Sequence, residues 1–208
     1  MYHTVHFGSM AGKDPRGRLL EAAIDHIAER GISDLSLREL AAAIGTSHRM
    51  LIHHFGSREG LWVEVIRAVE ARQRALLAEV APDPNAGFGD VMREWWRHIS
   101  SPALWANERL FFEIYGQALQ GRPGTVELLD GIVDAWVEPG AEAFMAFGME
   151  RDEAYAVARL AVAVTRGLLL DLLATGDREA VDAAMEAHIA LLEARLAGYS
   201  GREGASPG

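Results

Sequence analysis

The chain has 208 residues, half of them apolar, so it can form one domain or a small domain joined to a larger one. It contains no cysteine, which excludes disulfides, thiol nucleophiles and cysteine-ligated zinc, and fits a reducing cytoplasm. Because it also lacks an apolar run of eighteen residues and a signal-peptide pattern, we expect a cytoplasmic protein that makes no use of a membrane.

The first two predicted helices have clear end signals. The first opens at Asp14, a capping residue, with Pro15 at its first helical position, and Gly31 is predicted to end it. The second opens with "SLRE", in which Ser36 and Glu39 have the spacing of a capping box. Each of those two side chains can then satisfy a backbone N–H that has no partner within the helix.

A third, very short helix follows almost at once. Gly45 supplies a left-handed residue, and Thr46 or Ser47 then caps a helix that ends near Phe55. Three helices in about forty residues, the last two joined by a tight glycine-containing turn, form a helix-turn-helix pattern. A long fourth helix is predicted over 57–80.

The rest of the chain is predicted to form a larger helical body. After a loop at 81–87, its expected helices are 88–100, 102–120, 125–147, 151–174 and 177–197. Pro139 should break or kink the third of these, because proline removes a backbone donor and clashes with the preceding turn. Strand-like alternation is absent, so the predicted fold class is all-α: a small N-terminal head and a larger body.

The third helix has a composition suited to binding in the DNA major groove. Leu51 and Phe55 lie four residues apart and can face the core together with Ser47. The opposite face and its flanks then hold His48, Arg49, Ile52 and His53, with Met50 and His54 at the sides. Such a helix spans about 12–14 Å, close to the groove width, and its arginine can donate to a guanine edge.

Two other interpretations of this helix remain open. It could be a solvated surface helix, or its histidines His48, His53 and His54 could bind a metal, although their spacings of five and six put them on different faces. The charge distribution favours DNA despite the net charge of −10. Residues 1–60 carry seven basic and seven acidic residues and six of the eight histidines, so the whole excess of acid lies in residues 61–208.

Residues 19–66 resemble the N-terminal domain of the tetracycline-repressor (TetR) family, through "AERG", "S-x-R-x-L-A", "IG-T-S", "L-x-x-HF" and "S-R-E-x-L" in that order. The resemblance implies a recognition helix over 47–54, with Arg58 in place of the usual lysine near a DNA phosphate. The predicted DNA contacts are Ser47, His48, Arg49, Met50, Ile52, His53, His54 and Arg58. Ile52 replaces a common tyrosine and Arg49 a residue that is often small, so the family's operator preferences do not transfer.

A ligand site is predicted among the aromatic residues of 88–147, which include four of the five tryptophans. Aromatic stripes more often form core, but interspersed acidic and histidine side chains would be costly to bury unpaired, and an apolar cavity with a few polar groups is typical of small-molecule sites. The resemblance implies an effector pocket in the same region. The predicted ligand contacts are Trp95, Trp96, His98, Trp105, Glu108, Phe111, Phe112, Tyr115 and Trp136. Flat apolar walls favour a lipophilic ligand, and aromatic faces together with carboxylates slightly favour a cationic ligand over an anionic one.

The last two predicted helices are expected to form a homodimer interface. The helix at 151–174 is apolar nearly all round and therefore needs two partners, its own core and a second chain. Small residues permit close approach there, and Ala161 and Leu192 are predicted to lie in the interface, with His188 as an interface histidine. The resemblance implies a four-helix interface built from 151–174 and 177–197 of each subunit.

Together these patterns predict a ligand-responsive transcriptional repressor that binds an inverted-repeat operator as a homodimer and is released by a lipophilic molecule. The predicted domains are a DNA-binding head at 14–60 and an effector-binding and dimerisation body at 61–198, with flexible tails at 1–13 and 199–208. The alternatives are a helical protein-interaction module, or an enzyme that uses Glu108 or Glu113 with His98. No nucleophile–base pair or cofactor motif occurs, so we expect no enzymatic activity, cofactor or metal.

Overall fold

The structure, a computed structural model, describes residues 14–30, 35–80 and 87–200, without the side chains of 79, 80 and 200. Over these residues the chain is all-α, as predicted, and contains no strand. Its helices are α1 Pro15–Arg30, α2 Leu37–Ala43, α3 His48–Phe55, α4 Arg58–Val80, α5 Phe88–Ile99, α6 Trp105–Leu119, α7 Asp134–Ala146, α8 Arg151–Thr175 and α9 Arg178–Ser200. None of these helices has the combination of length and apolar character that crossing a bilayer requires.

The helix ends of the head follow the local sequence signals. The Ser36 hydroxyl accepts from the Glu39 N–H at 3.2 Å and the Glu39 carboxylate accepts from the Ser36 N–H at 2.8 Å, which confirms the capping box. Gly45 has a φ of +71°, and Ser47 caps α3 by accepting from the Met50 N–H. The predicted stop at Gly31 and most of the predicted loop at 81–87 lie outside the described residues.

Three predicted helix boundaries were wrong. The segment 125–147 is not one helix: a 3₁₀ turn at Val126–Leu129 is followed by Gly131 at a φ of +70°, and α7 begins only at Asp134. Pro139 lies inside α7, where its missing N–H deprives only one carbonyl of its helical donor. The helix predicted to open at Ser101-Pro102 begins as a 3₁₀ turn, and α9 continues to Ser200, so positions 199–200 are helix rather than tail.

The head shares its core with the body. Leu40 and Leu51 of the head belong to the same buried cluster as Leu61 of α4 and Leu110 and Ile114 of α6, and α1 packs on α6. A fully buried leucine stabilises a fold by about 1.5–3 kcal/mol, so this shared cluster fixes the head on the body. Two further clusters hold the body together, one among α7, α8 and α9 and one among α5, α8 and α9.

Candidate functional site

The exposed face of α3 is built on two buried side chains. Leu51 is fully buried and Phe55 nearly so, as predicted, whereas Ser47, which was expected to face the core with them, is exposed. The outward residues are His48, Arg49, Met50, Ile52 and His53. Among them, the apolar residues Met50 and Ile52 are 39% and 37% exposed. The face therefore combines hydrogen-bond donors with apolar atoms, the combination that reads base edges and thymine methyls in a major groove.

His54 lies off that face, against the first helix. Its side chain is half-buried, its ring contacts His53 at 5.0 Å, and its carbonyl accepts from Nε of Arg16 at 3.4 Å. The same Arg16 pairs with Glu64 of α4 at 2.6 Å and lies over the ring of Phe55. Among the predicted DNA contacts in α3, His54 is thus placed on the inner flank, where it helps to hold α3 against α1 and α4.

Arg58 stands at the first position of α4, next to the end of α3. Its guanidinium lies 5.9 Å from the ring of Trp62, and within the described residues its Nε has no hydrogen-bond partner. The turn after α6 reaches the same place: Arg122 pairs with Glu59 at 3.2 Å. At the start of α4, Arg58 of the head therefore lies close in sequence to Glu59, which pairs with a residue of the body.

A cavity of about 680 Å³ lies in the body between α4, α5, α6, α7 and α8, within the usual size range of small-molecule sites. Its lining is mainly apolar. Five of the predicted ligand contacts line it: Trp95, Glu108, Phe111, Phe112 and Trp136. Aromatic residues that the prediction left out also line it, namely Phe88, Phe144 and Phe147.

Two of the predicted tryptophans are structural and do not reach the cavity. Trp96 is buried and donates from Nε1 to Asp182 of α9 at 2.7 Å, whereas its neighbour Trp95 faces the cavity. Trp105 donates from Nε1 to the carbonyl of Ser100 at 3.0 Å. Both indole N–H groups are thus satisfied by the fold, as buried tryptophans require.

His98 and Tyr115 lie behind the cavity wall. His98 is exposed and stacks on Trp95, and Tyr115 stacks on Phe111 with ring centroids 5.3 Å apart. Glu113 points to solvent. Of the three groups considered for acid–base chemistry, only Glu108 lines the cavity, so the described structure does not bring them together. Nor do three or more His, Asp or Glu side chains converge as a metal site would need in the part of the chain that the structure describes.

The polar wall of the cavity comes from residues that the sequence analysis did not single out. Glu70 of α4 is buried; it accepts from the indole N–H of Trp136 and lies 3.7 Å from Arg74 and 3.8 Å from Arg166. Burial raises the pKa of Glu70, while these partners oppose the shift. The i, i+4 spacing of Glu70 and Arg74 was the available signal, but such spacing on a long helix usually marks a solvated face.

Glu108 faces Glu70 from α6. Its Oε1 accepts from Nε2 of Gln73 at 2.8 Å. Burial raises the pKa of Glu108 to about 7; the hydrogen bond from Gln73 opposes the shift, and the nearby carboxylate of Glu70 adds to it. The wall therefore holds two guanidiniums, one carboxylate in close contact with both, and one carboxyl group that changes charge near neutral pH.

The outer faces of α8 and α9 carry an uncovered apolar surface. On α8 the exposed residues Leu160, Ala163, Gly167 and Leu170 follow helical spacing. On α9 Leu191 is 71% exposed within a row of exposed alanines. We call these two rows the outer stripe.

Ala161 and Leu192 do not lie on the outer stripe, so their predicted interface positions were wrong. Leu192 is buried and Ala161 packs with it in the core of α7, α8 and α9, where both line the cavity. Ala158, a second small residue of α8, packs against Gly140 of α7. A Cβ atom at position 140 would lie 3.3 Å from that of Ala158, so these small residues allow close packing of the two helices. His188 is half-buried, and its Nε2 has no hydrogen-bond partner within the described residues.

Comparison with known proteins places these features in a family context. Residues 19–65 match the family model for bacterial regulatory proteins of the tetR family. Over 129 residues, 58% of this chain and 63% of the relative, the chain is 32% identical to the HTH-type transcriptional repressor Rv3405c of Mycobacterium tuberculosis. The chain therefore spans somewhat less than two thirds of the curated relatives that it matches across the head and part of the body.

Solved structures with low sequence identity share the whole fold. A transcriptional regulator from Rhodococcus sp. Rha1 aligns over 86% of this chain and 95% of its own, with a TM-score of 0.69 and 21% identity. A regulator from Saccharomonospora viridis, solved in complex with choline, aligns over 84% of this chain and 92% of its own, with a TM-score of 0.62 and 23% identity. The helical body that follows the head therefore has the same architecture in these proteins.

Proposed function

The chain belongs to the TetR family of bacterial regulatory proteins, and on that premise we propose that it is a cytoplasmic, ligand-responsive transcriptional repressor. The observation that carries this proposal is the exposed face of α3. Side chains suited to base edges, Arg49 and Ile52 among them, are held outward on a short helix whose other side is anchored in the core. A merely solvated helix would have no need of its exposed isoleucine and methionine.

In the proposed complex, α3 enters the major groove and Arg58 contacts a phosphate. Arg49 donates to a guanine edge, Ile52 touches a thymine methyl, and His48 and His53 donate to bases or phosphate. Ser47 and Met50 flank this face, whereas the side chain of His54 lies on the inner flank and is the weakest of the predicted contacts. The outward placement of the α3 residues supports this arrangement, and Arg58 lies next to the end of α3 at the first position of α4.

We further propose that two chains pair through the outer stripe of α8 and α9. The row of small residues with Leu160, Leu170 and Leu191 leaves apolar area that a second copy would cover, and the unpartnered Nε2 of His188 would find an acceptor in the interface. A symmetric dimer binds an inverted repeat when its two recognition helices lie about 34–36 Å apart, one turn of B-DNA.

The effector is proposed to bind in the cavity and to act through α4. That helix carries Arg58 at one end and Glu70, Gln73 and Arg74 on the cavity wall. A ligand that binds one position of α4 more tightly than the other would change the separation of the recognition helices and release the operator. The apolar walls support a lipophilic ligand. One structural neighbour with the same fold was solved in complex with choline, a small organic cation.

DNA binding can be tested directly with the full chain. A labelled duplex of random sequence should bind at low salt, and its affinity should fall steeply as salt rises, because binding then depends on phosphate contacts. Selection from a randomised duplex pool should return an inverted repeat. A helical interaction module, the competing function, would show neither salt-dependent binding nor sequence enrichment, and that outcome would overturn the proposal.

A further inference from the structure

We propose that the cavity takes an amphipathic anion, a lipophilic carboxylate whose head group binds the guanidinium of Arg74. Calling this ligand the effector rests on the proposed function, but the chemistry of the site does not. The inference reverses the slight preference for a cation that the sequence suggested, and it follows from the contacts of four charged side chains and of the aromatic rings around them.

Arg74 presents hydrogen-bond donors that the protein leaves unused. The group lines the cavity, and its Nη1 is buried without a hydrogen-bond partner among the described residues. Glu70 lies 3.7 Å from Nη1, near enough for charge attraction but too far for a hydrogen bond. The Arg74 side chain as a whole is 28% exposed, but leaving the N–H donors of its buried Nη1 without an acceptor is costly.

One oxygen of each buried carboxylate in the cavity already accepts from a donor of the protein. The carboxylate of Glu70 accepts from the indole of Trp136 and lies 3.8 Å from Arg166, and Glu108 accepts from Gln73. Arg166 itself donates to the carbonyl of Ile132 at 2.9 Å. Within the part of the chain that the structure describes, the guanidinium of Arg74 thus makes no hydrogen bond, and a ligand could supply the missing oxygen acceptor. Bidentate pairing makes a carboxylate the best match for its fork.

The charge of the polar wall also favours an anion. Arg74 and Arg166 bring two guanidinium groups to the cavity lining. Glu70 neutralises one of these two charges, and burial keeps the pKa of Glu108 near neutrality, so Glu108 does not fully neutralise the other. In its protonated form Glu108 can donate a hydrogen bond to the same ligand carboxylate.

A cationic ligand would find the aromatic groups of this wall already engaged. Arg74 lies over the ring of Trp136 at 5.5 Å, and Trp95 packs on the same indole with centroids 5.4 Å apart. Arg166 lies over Phe111 at 5.1 Å, and Tyr115 stacks on that ring as well. Two rings beside the buried carboxylates, those of Trp136 and Phe111, therefore already carry the protein's own cations, which would repel a third positive charge at this wall.

The remainder of the cavity suits the lipophilic part of such a molecule. Phe88 packs on Phe144 and Phe147, with ring centroids 5.5 Å and 6.2 Å apart, and all three line the cavity. Val162 and Leu192 complete an apolar surface that favours burial of hydrocarbon. The cavity volume of about 680 Å³ suits a ligand of drug or fatty-acid size.

The test is calorimetric titration of the full chain at pH 6.5 with three probes that share one tail: dodecanoate, dodecanol and dodecyltrimethylammonium, each below its micelle concentration. The ring-bearing carboxylate 4-butylbenzoate is a fourth probe. We expect at least one carboxylate to bind about tenfold or more tightly than dodecanol, and the ammonium probe to bind most weakly. Tightest binding of the ammonium probe, or binding of neither carboxylate, would overturn the inference.

The variant Arg74→Met tests the head-group contact, because it keeps the length of the stem and removes the donors. It should weaken carboxylate binding about tenfold or more and leave the affinity for dodecanol unchanged. Arg97→Met is the matched control: Arg97 is exposed, pairs with Glu94 on α5 and does not line the cavity. If Arg74→Met does not fold, Arg74→Lys keeps the charge but loses the fork and should give an intermediate loss. Unchanged carboxylate affinity in a folded Arg74 variant would refute the contact.

The same samples separate this inference from the proposed function. Carboxylate binding that depends on Arg74, in a chain that does not bind DNA, would refute the regulator and leave the ligand chemistry standing. DNA binding without preference for a carboxylate would refute the ligand chemistry and leave the regulator.

Discussion

Gln73 of α4 donates from Nε2 to Oε1 of Glu108 on α6 at 2.8 Å, and this bond holds a carboxyl group whose environment favours its neutral form. Burial raises the folded-state pKa of Glu108 from its ordinary 4.5 to about 7. Since the folded state then binds the proton more tightly than the unfolded state, stability is fully present below pH 4.5 and is lost as pH rises through 7.

The variant Glu108→Gln should remove this pH dependence. It keeps an oxygen acceptor for Gln73 and cannot ionise. Between pH 5 and pH 8 the free energy of unfolding of the wild type should therefore fall by up to about 3 kcal/mol relative to that of the variant. Urea unfolding at the two pH values measures the difference. Glu113→Gln is the control, because Glu113 is exposed on the same helix and should give a difference independent of pH. A Glu108 variant whose advantage does not grow with pH would contradict the raised pKa.

The recognition helix could be predicted in detail because its determinants are local. The cap at Ser36, the left-handed Gly45, the cap at Ser47 and the four-residue spacing of Leu51 and Phe55 all lie within twenty residues. Each of these signals acts on the backbone of its own helix or turn, so the exposed face of α3 follows from them without knowledge of the tertiary packing.

Two features could not be predicted in the same way: the polar wall of the cavity, and which side of α8 faces the core. Glu70, Glu108 and Arg166 come together from three helices, and no local pattern shows that α4, α6 and α8 meet there. On α8 both sides are apolar, so periodicity could not tell that Ala161 faces the cavity and Leu160 the solvent. Sequence can show that such a helix needs two partners, but which side faces which partner depends on packing.

Arg49→Ala should reduce specificity at the operator. Loss of a bidentate contact to guanine should cost about 1–3 kcal/mol at the cognate site and relax the preference at one position in each half-site. The preference is measured by letting the wild type and the variant each select duplexes from the same randomised pool. Arg38→Ala is a suitable control, since Arg38 is an exposed arginine of the head that lies outside α3. An unchanged preference in the Arg49 variant would show that this side chain does not read a base.

Arg58→Ala should weaken binding to all sequences by a similar factor. A phosphate contact carries no sequence information. Without it, binding of the protein should release about one counterion fewer from the DNA. The affinity of cognate and random duplexes, measured across a series of salt concentrations, should therefore fall together, with a logarithmic salt dependence shallower by about one. A loss confined to the cognate duplex would assign Arg58 to base recognition instead.

Leu191→Glu should convert the proposed dimer to monomers. Leu191 is 71% exposed on the outer stripe of α9, so the substitution should leave the fold of the single chain intact while it places a charge in the interface. Sedimentation of the purified variant measures the result. Leu119→Glu is the matched control, because Leu119 is 65% exposed on α6, away from α8 and α9. A stable dimer of the Leu191 variant would show that the outer stripe is not the interface.

The affinity for dodecanoate should fall as pH rises from 6 to 8. The carboxylate of the probe is ionised throughout this range. The charged groups that act on Glu108 are Glu70 of α4 and Arg166 of α8. Glu108 is the group that changes, since burial holds its pKa at about 7, and its ionisation adds a negative charge beside Glu70 and the bound carboxylate. We expect the affinity to decrease by about tenfold, which corresponds to a coupling of about one pKa unit. In Glu108→Gln the affinity should stay constant over the same range, and dodecanol should show no pH dependence with either protein. An affinity for dodecanoate that rises with pH, or a fall that persists unchanged in Glu108→Gln, would separate Glu108 from the ligand head group.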